Sequence, residues 1–582
     1  MSHGHNIADF LKDVMTTPSS PLNAMHVDSS GPQGLLDFTV DVDLDLNDAD
    51  FGFFDKLYSN SFEDIPQPQQ LTVATFPTSG LLDDLLECFF ACHQQQVDCF
   101  VHTASFQPNQ QECELLGILI ATGATKTNVK ALHKLGFAIQ EAVRTIIPRR
   151  CEEANANTRK LWLLQSFMCE LQLGIWSGIK RKMELAESHT QVIFTMLRRA
   201  GRFQDPKRPV PEPLAQDTGE VLQRKWLDWI HQESFKRLAF HIFICDAQVS
   251  MTMLTNPNIS YSELSILFPA ARDLWMAEDA EQWKDLYFKR ATGQDRHLNL
   301  LDFLQQPGDI PDYYDTSLAG LAILCGIWGM IWQHLQLASV VHRQGEAAAK
   351  HQGMAALLSL RREDLMRTLM HFRVNIASSQ TPSCPETELV LEVVNMYLFV
   401  NFSDIQLFAG KGDLDDARRI LPSLQQWVTT QDARQAVWHA GQALRAAAVF
   451  PPKQLDRFYA VAVYHAGLTL WAYGVISQMR ASADKGNVSS STASLQVCLD
   501  GVESPALPVF FTLGRHMPMV GSSRRGMDLI PLSDPQAVMD VVLATLQGNF
   551  PTSANGEVVP PLVENLMQLL RDLGLAARNV EG

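Results

Sequence analysis

Apolar positions recur along most of this chain at the spacing of one face of an α-helix. Between residues 81 and 479 the pattern is almost continuous, whereas the alternation of apolar and polar positions that is typical of β-strands is scarce. The pattern therefore predicts an all-α fold built around a large multi-helix domain. The predicted helices cover residues 81–95, 113–122, 129–147, 158–175, 180–200, 221–255, 318–342, 361–376, 386–408, 431–448 and 458–479, with a final helix near 561–573.

The longest predicted helix, residues 221–255, carries polar residues that invite comparison with an active site. No Pro or Gly interrupts it before Pro257, and its apolar residues cover more than one face, so we expect a buried helix. Glu233 and Asp246 are about 20 Å apart along a straight helix, too far for a shared acid/base reaction. Glu233 and Arg237 have the spacing of an ion pair within a helix. A structural helix is the favoured interpretation, and a catalytic one is the alternative.

Composition divides the chain into four segments. Residues 1–80 are rich in Ser, Pro, Gln, Asp and Gly and lack a helical period, so we expect disorder. Within them, aspartates interleave with Leu and Phe, which is typical of activation regions, although a solvated linker is an equal alternative. Residues 81–480 form the predicted helical domain, 481–560 a linker and loop-rich section, and 561–582 a C-terminal helix and tail. The aspartates are Asp37, Asp41, Asp43, Asp45, Asp48, Asp50 and Asp55.

Charge and hydropathy limit the kinds of partner. The net charge of −17 opposes binding to nucleic acid by the chain as a whole. The ten cysteines lie mostly in apolar stretches, which is typical of reduced, buried thiols in an intracellular protein. The N-terminus lacks a secretion signal, and the longest apolar run, residues 318–332, is shorter than the roughly 20 residues that span a bilayer. We therefore expect a soluble protein, with a core helix at 318–332 and no membrane partner.

The search for chemistry finds no strong pattern. A Cys₂His₂ finger needs a His about 12 residues after its second Cys, and from Cys92 that position is Ser105. Core cysteines are therefore favoured over a zinc site. His439 and His465 lie on apolar stretches and are predicted core residues, and the GxSxG, HExxH and GxGxxG motifs do not occur. The prediction is a protein with no catalytic, metal or cofactor-binding residue. The residues tested for zinc are Cys88, Cys92, His93, Cys99, His102 and Cys113.

Several segments, in chain order, resemble the fungal-specific transcription factor domain, also called the middle homology region. These are CFVHTASFQP (99–108), ELLGILIATGA (114–124), the segment 161–201 that ends in MLRRAG, WLDWIHQESFKRLAFHIFICDAQVSM (226–251) and LFPAARDLWMAEDAEQWKDLY (267–287). Segments at 404–413, 432–446 and 458–474 resemble the subgroup in which Cys₂His₂ fingers precede this domain. The hallmark residues of the resemblance are His102, Phe106, Trp226, Trp229, Glu233, Lys236, Arg237, Asp246, Trp275 and Trp283.

The resemblance covers residues 81–480 and implies an all-helical regulatory domain in a nuclear regulator of a fungal metabolic pathway or biosynthetic gene cluster. The family's zinc-finger module is missing from this sequence, so zinc and DNA contacts are expected only through an upstream module or a partner. The implied partners are the transcription machinery, through the acidic segment, and a second copy or a finger-bearing homologue. Two alternatives stay open: an all-helical fungal pathway enzyme with an apolar pocket, and a finger-less scaffold that sequesters a homologous factor.

Overall fold

The computed structural model describes residues 77–204, 210–290, 298–343, 352–378, 384–483, 495–521, 529–550 and 558–581. The predicted acidic and disordered segment lies almost wholly outside the described residues. Residues 484–494, which are most of the linker at the start of the section 481–560, also lie outside the described residues.

The described residues form nineteen α-helices and one small sheet, so the predicted all-α fold is confirmed. In chain order the first ten helices are α1 Ser79–His93, α2 Cys113–Ala124, α3 Lys130–Glu153, α4 Leu161–Ile175, α5 Lys180–Arg199, α6 Gly219–Met253, α7 Arg272–Trp275, α8 Ala280–Arg290, α9 Leu300–Gln305 and α10 Thr316–Arg343. The remaining helices are α11 Gln352–Ser378, α12 Pro385–Leu398, α13 Phe402–Phe408, α14 Leu414–Trp427, α15 Gln431–Ala447, α16 Arg457–Ala483, α17 Ala506–Leu513, α18 Pro535–Asn549 and α19 Pro561–Glu581.

The long helices α6, α10 and α16 lie at the centre of the core. Helix α6 packs against both α10 and α16, and Leu238, Trp328 and Trp471, one from each of these helices, are completely buried. Thr316–Val340 and Arg457–Ala481 are long and apolar enough to cross a membrane, but 78% and 89% of their most apolar stretches are buried inside the fold. The core helix predicted at 318–332 is therefore confirmed.

One continuous hydrophobic core runs from α1 to α19. It includes Leu86 near the start of the described chain and Ala577 near its end. Helix α16 connects the two halves, because it contacts α6 on one side and α18 and α19 on the other. The C-terminal helices are therefore part of the same packed body as the N-terminal ones.

One predicted helix was wrong, and several helices were not predicted. The predicted helix 386–408 is two helices, α12 and α13, separated at Phe399, whose carbonyl accepts a hydrogen bond of 3.1 Å from Trp427 Nε1. The apolar sequence continues across this break, so periodicity does not reveal it. Helix α18 was not predicted, although Asp534 caps it by accepting the N–H of Ala537 and Pro535 opens it, a common start signal. Helices α7, α8, α9, α14 and α17 were not among the predicted ranges either.

A three-stranded sheet lies between α16 and α18 in the sequence. Its strands are β1 Gln496–Cys498, β2 Met517–Gly521 and β3 Leu529–Pro531, with β1 and β2 parallel and β2 and β3 antiparallel. Gly441 of α15 and Gly474 of α16 let this region approach closely, because a Cβ at either position would overlap the backbone of the segment around Leu499 or Leu532. The structure therefore contains strands and two helices, α17 and α18, in the section that the sequence described as loop-rich.

Gly123 should be intolerant of any side chain, because a Cβ there would overlap the Leu85 carbonyl oxygen where α2 packs on α1. We expect Gly123→Ala to lower the free energy of unfolding by about 1–3 kcal/mol through overpacking, measured by urea unfolding followed by circular dichroism. Gly548→Ala is the matched control, since Gly548 lies in α18 with no atom within 4 Å of the position that a Cβ would take, and it should be neutral or stabilising. Equal losses in the two variants would contradict the close packing of α1 and α2.

Candidate functional site

Arg237, on α6, is the centre of a buried network of charges. Its side chain is 0% exposed, and its Nη2 donates hydrogen bonds to Asp315 Oδ2 at 3.0 Å and to the Ala270 carbonyl at 2.7 Å. Its Nε lies 3.3 Å from Glu233 Oε1, so the ion pair predicted from the i, i+4 spacing is confirmed. Glu233 Oε1 also accepts the N–H of Ala270 at 2.8 Å. The guanidinium is therefore enclosed by two carboxylates and a backbone carbonyl.

This network joins three parts of the chain that are distant in sequence. Asp315 precedes α10 and accepts the N–H of Leu318 at 3.2 Å, while its own N–H donates to the Pro269 carbonyl at 2.9 Å. Ala270 belongs to the segment that enters α7 and pairs with Tyr314 in an isolated bridge. Arg237 and Glu233 therefore hold α6, this segment and the start of α10 together.

The electrostatics of Arg237 favour a permanent charge. Burial opposes the charged guanidinium, but the carboxylates of Asp315 and Glu233 outweigh that effect and raise the pKa of Arg237. A buried charge is tolerated when it is paired and hydrogen-bonded in this way, and removing one partner leaves an uncompensated charge. The arrangement therefore stabilises the fold by holding these segments together.

Four tryptophans surround one side of the network; we refer to Trp226, Trp229, Trp275 and Trp283 as the tryptophan cluster. They belong to a second, smaller hydrophobic cluster in which each is at most 3% exposed. The Arg237 guanidinium carbon lies 4.8 Å from the centroid of Trp275, a cation–π contact. Trp229 and Trp283 have their ring centroids 5.5 Å apart. The cluster therefore contacts the ion network through Trp275.

His102 joins the tryptophan cluster from the segment between α1 and α2. Its ring makes edge contacts with Trp275 at 4.8 Å and with Trp226 at 5.8 Å between centroids. Burial lowers the pKa of His102 to about 4, so the ring is neutral, and its Nδ1 lies 2.9 Å from Ser105 Oγ. His102 is thus a packed core histidine.

The structure brings most of the hallmark residues together but not all. Lys236 lies beside the network, with Nζ 3.1 Å from Glu233 Oε2. Phe106 packs elsewhere, against Phe90 at 4.9 Å between ring centroids. Asp246 lies further along α6 and faces the segment that follows that helix. All the hallmark residues except these last two are therefore in or next to the ion network and the tryptophan cluster.

Asp246 fastens the segment that leaves α6. Its Oδ1 accepts a hydrogen bond of 2.9 Å from Asn258 Nδ2, and its Oδ2 accepts the N–H of Ile259 at 2.7 Å. The turn begins at Leu254, a non-glycine residue in the left-handed region with φ 54°. Burial raises the pKa of Asp246 to about 6, against the hydrogen bonds that favour its charged form.

Sequence reasoning missed a second polar contact of a buried side chain on α6. His241 Nδ1 lies 2.8 Å from Asp98 Oδ2, and the His241 side chain is 0% exposed. Burial alone would raise the pKa of Asp98, but the attraction and hydrogen bond of His241 outweigh it and lower the pKa. Near it, His93 Nε2 accepts the N–H groups of Phe100 and Val101 at 3.1 and 3.0 Å. The only hint in the sequence was a polar His on an otherwise apolar stretch, and nothing in it pointed to Asp98.

The cysteines and histidines tested for zinc lie in different surroundings. Cys99 is buried within the tryptophan cluster, His93 binds backbone N–H groups, and Cys113 is exposed at the start of α2. In the part of the chain that the structure describes, no three His, Cys, Asp or Glu side chains are grouped so as to hold a metal ion. All ten cysteines are free thiols, and Cys99, Cys169, Cys245 and Cys325 are fully buried.

The two histidines tested for catalysis also have structural partners. His439 Nδ1 lies 2.7 Å from Glu392 Oε2, and Arg373 Nη1 lies 2.7 Å from the other oxygen of the same carboxylate, which links α15, α12 and α11. Burial lowers the pKa of His465 to about 3, and its ring packs 4.3 Å from that of Phe402. His465 is buried, as predicted for a core residue, whereas His439 is partly exposed.

The region around α6 matches the model of a known protein family. Residues 86–361 match the fungal specific transcription factor domain, which confirms the resemblance found in the sequence. The chain is 23% identical to Transcription factor opdJ of Penicillium oxalicum over 68% of its own length and 49% of that protein. It is 23% identical to the Nicotinate catabolism cluster-specific transcription factor of Emericella nidulans over 64% of its length and 45% of the relative.

A more distant similarity extends to Schizosaccharomyces pombe. The chain is 20% identical to Zinc finger protein klf1 of that organism over 72% of its length and 55% of that protein. The chain thus spans about half the length of the curated relatives it matches. No solved structure matches it.

Arg237→Gln should destabilise the fold strongly, because it leaves Asp315 buried without a cation and leaves Lys236 as the remaining cation beside Glu233. We expect a loss of about 3–5 kcal/mol in the free energy of unfolding, measured by urea unfolding. Lys236→Gln is the matched control on the preceding position of α6, where the side chain is 18% exposed, and it should cost about 0–1 kcal/mol. Similar losses for the two variants would show that the buried network is not the stronger interaction.

Asp246→Asn should change the pH dependence of stability. Burial raises the pKa of Asp246 in the folded protein to about 6, above its value in the unfolded chain. The contribution of this side chain to the free energy of unfolding is therefore complete below the unfolded pKa and is lost as the pH rises through about 6. Between pH 4 and pH 7 the wild type should therefore lose up to about 3 kcal/mol relative to Asp246→Asn. Urea unfolding at several pH values measures this difference. Asp415→Asn, at a side chain 89% exposed, is the control and should show no such dependence on pH. If the difference in unfolding free energy between the wild type and Asp246→Asn also stayed constant with pH, the raised pKa of the buried carboxylate would be contradicted.

Proposed function

We propose that this chain, which contains a fungal specific transcription factor domain over residues 86–361, is a regulator of transcription for a fungal metabolic pathway or gene cluster. It acts by binding other proteins and not by catalysis. The observation that carries the proposal is the match of this domain, which includes the whole of α6 and its buried ion network.

The relatives support the pathway-specific part of the proposal. Those compared above are named transcription factors or zinc finger proteins, and one is named for the control of a nicotinate catabolism cluster. The polar groups of α6 that first suggested an active site support a non-catalytic function, because Glu233, Arg237 and His241 are each engaged in contacts that hold the fold together.

The charge of the chain supports an indirect route to DNA. At a net charge of −17, the chain as a whole repels a phosphate backbone, and its 582 residues contain no finger spacing. We propose that DNA is reached through a zinc-finger module on a homologous partner or elsewhere in the protein, and that this chain pairs with a second copy or with such a homologue. Its place of action would be the nucleus.

The acidic segment supports the contact with the transcription machinery. Residues 37–64 interleave aspartates with Leu and Phe, so the charges keep the aromatic side chains in water until a partner's apolar groove receives them. In this proposal the helical body provides assembly and regulation, and residues 37–64 provide recruitment.

A reporter assay in a fungal host tests this division. The full chain fused to a heterologous DNA-binding domain should activate a reporter, and deletion of residues 37–64 should reduce expression to background. Deletion of residues 2–29, which removes a segment of the same length, is the matched control and should leave activation largely intact. Chain abundance is measured for each fusion, so that loss of protein is not mistaken for loss of recruitment. Full activation without residues 37–64 would contradict the recruiting function of this segment.

A further inference from the structure

A cleft of about 450 Å³ opens on the surface beside the tip of α4, outside the buried network described above. Its floor and walls come from the first turn of α4, from the middle of α6 and from the turn that follows α5. A volume between about 300 and 1,000 Å³ is typical of sites for small organic molecules. The cleft is therefore large enough to hold a ligand, and its lining decides which kind.

Two aromatic side chains, Trp162 and Phe235, supply the apolar part of the lining. The guanidinium carbon of Arg202 lies 3.5 Å from the centroid of the Phe235 ring, and the ring of His231 meets the same phenyl ring edge-on at 5.1 Å. Lys160 Nζ lies 6.0 Å from the Trp162 centroid. Flat rings next to cations form a surface that suits another flat ring.

Three cations line the cleft: Arg159, Lys160 and Arg202. No carboxylate is among the lining residues, and in the described part of the chain none of the three forms an ion pair. Asp228 and Glu233, the acids of α6 on either side of His231, do not line the cleft. A concentration of positive charge is unexpected in a chain of net charge −17.

Arg202 is the least satisfied of these cations. It is half-buried, its Nε is buried without a hydrogen-bond partner, and burial lowers its pKa. A buried cation without a counter-charge costs free energy, and an anion in the cleft would remove that cost.

The first turn of α4 adds backbone N–H groups, which are hydrogen-bond donors, on the same side of the cleft as the cations. The first N–H groups of a helix have no partner within the helix, and Lys160, which precedes α4, supplies no side-chain acceptor to them. Leu161 and Trp162, the first two residues of α4, line the cleft. The positive end of the helix dipole therefore acts in the same direction as the three side-chain cations.

We propose that this cleft binds a small organic anion that carries a flat ring. The acidic group of the ligand, a carboxylate, sulfonate or phosphate, lies against Arg159, Lys160, Arg202 and the first turn of α4. The ring of the ligand packs on Trp162, because Arg202 already covers the Phe235 ring. The size of the cleft favours a small molecule over a peptide, and its charge favours an anion over a neutral ring.

The test uses the full chain and 2-naphthoate as the probe, with binding followed by isothermal titration calorimetry. We expect saturable binding at one site, and at least about tenfold weaker binding of 2-naphthamide, which has the same ring without the charge. Inorganic phosphate, which has the charge without the ring, should compete poorly. Absence of 2-naphthoate binding, equal binding of the amide, or displacement by phosphate at equal concentration would each overturn the proposal.

Two variants locate the binding site. Arg202→Gln and the double variant Arg159→Gln with Lys160→Gln should each weaken 2-naphthoate binding by at least about tenfold. The double variant changes exposed side chains, so it remains informative if Arg202→Gln does not fold. Arg181→Gln, at an exposed position at the opposite end of α5 from Arg202, is the matched control and should bind normally.

Two results with these reagents would count against the cleft. Unchanged binding in both cleft variants would place the probe elsewhere and overturn the proposal. The second result is displacement of 2-naphthoate by a peptide of residues 37–64, at a peptide concentration below that at which 2-naphthoate itself binds. In that case the cleft would be a docking surface for the acidic segment, and the small-molecule proposal would be overturned. Because the assay measures binding alone, its outcome is independent of whether residues 37–64 activate transcription.

Discussion

The fold depends on one buried cation. Arg237 has no contact with solvent, and its charge is compensated only by Glu233 on its own helix and Asp315 at the start of α10. Asp315 could not be buried as a charged group without the guanidinium, and the guanidinium could not be buried without the two carboxylates. Since Asp315 and the Ala270 backbone come from other segments, satisfying this charge determines where those segments must lie.

The hydrophobic core then extends this arrangement through the chain. Helix α6 carries the ion network on one part of its surface and packs against α4, α8, α10 and α16 on others. This explains why it is apolar on nearly every face, unlike a surface helix with one apolar stripe. Through α16 the same core reaches α18 and α19, so the matched family domain and the C-terminal region stabilise each other.

In this packing, the residues that stabilise the fold are mostly different from those that line the surface cleft. The charged and aromatic residues that stand out in the sequence of α6 are mostly buried and occupied by partners within the fold. The groups that we propose to bind a ligand lie at the surface instead, in the cleft beside the start of α4 where Arg202 stacks on Phe235. Helix α6 contributes to both environments, because His231 and Phe235 face the cleft while Glu233 and Arg237 face the core.

The sequence by itself determined the helical class, the position of most long helices and the pairing of Glu233 with Arg237. These depend on interactions over three or four residues, which periodicity records directly. The break at Phe399 was not visible because the apolar pattern continues through it, and the hydrogen bond that the Phe399 carbonyl accepts comes from Trp427, 28 positions away. The strands were missed because each has only three to five residues, too few for an alternating pattern.

The tertiary structure alone decided which distant residues meet. Asp98 and His241 lie 143 positions apart, and Arg237 and Asp315 lie 78 positions apart. Neither separation has a local signature, because such pairs form only when packing removes water from both groups at once. The tryptophan cluster and the cationic cleft were decided in the same way: their members are ordinary polar or aromatic residues in the sequence, and they acquire a common environment only when the helices that carry them are packed.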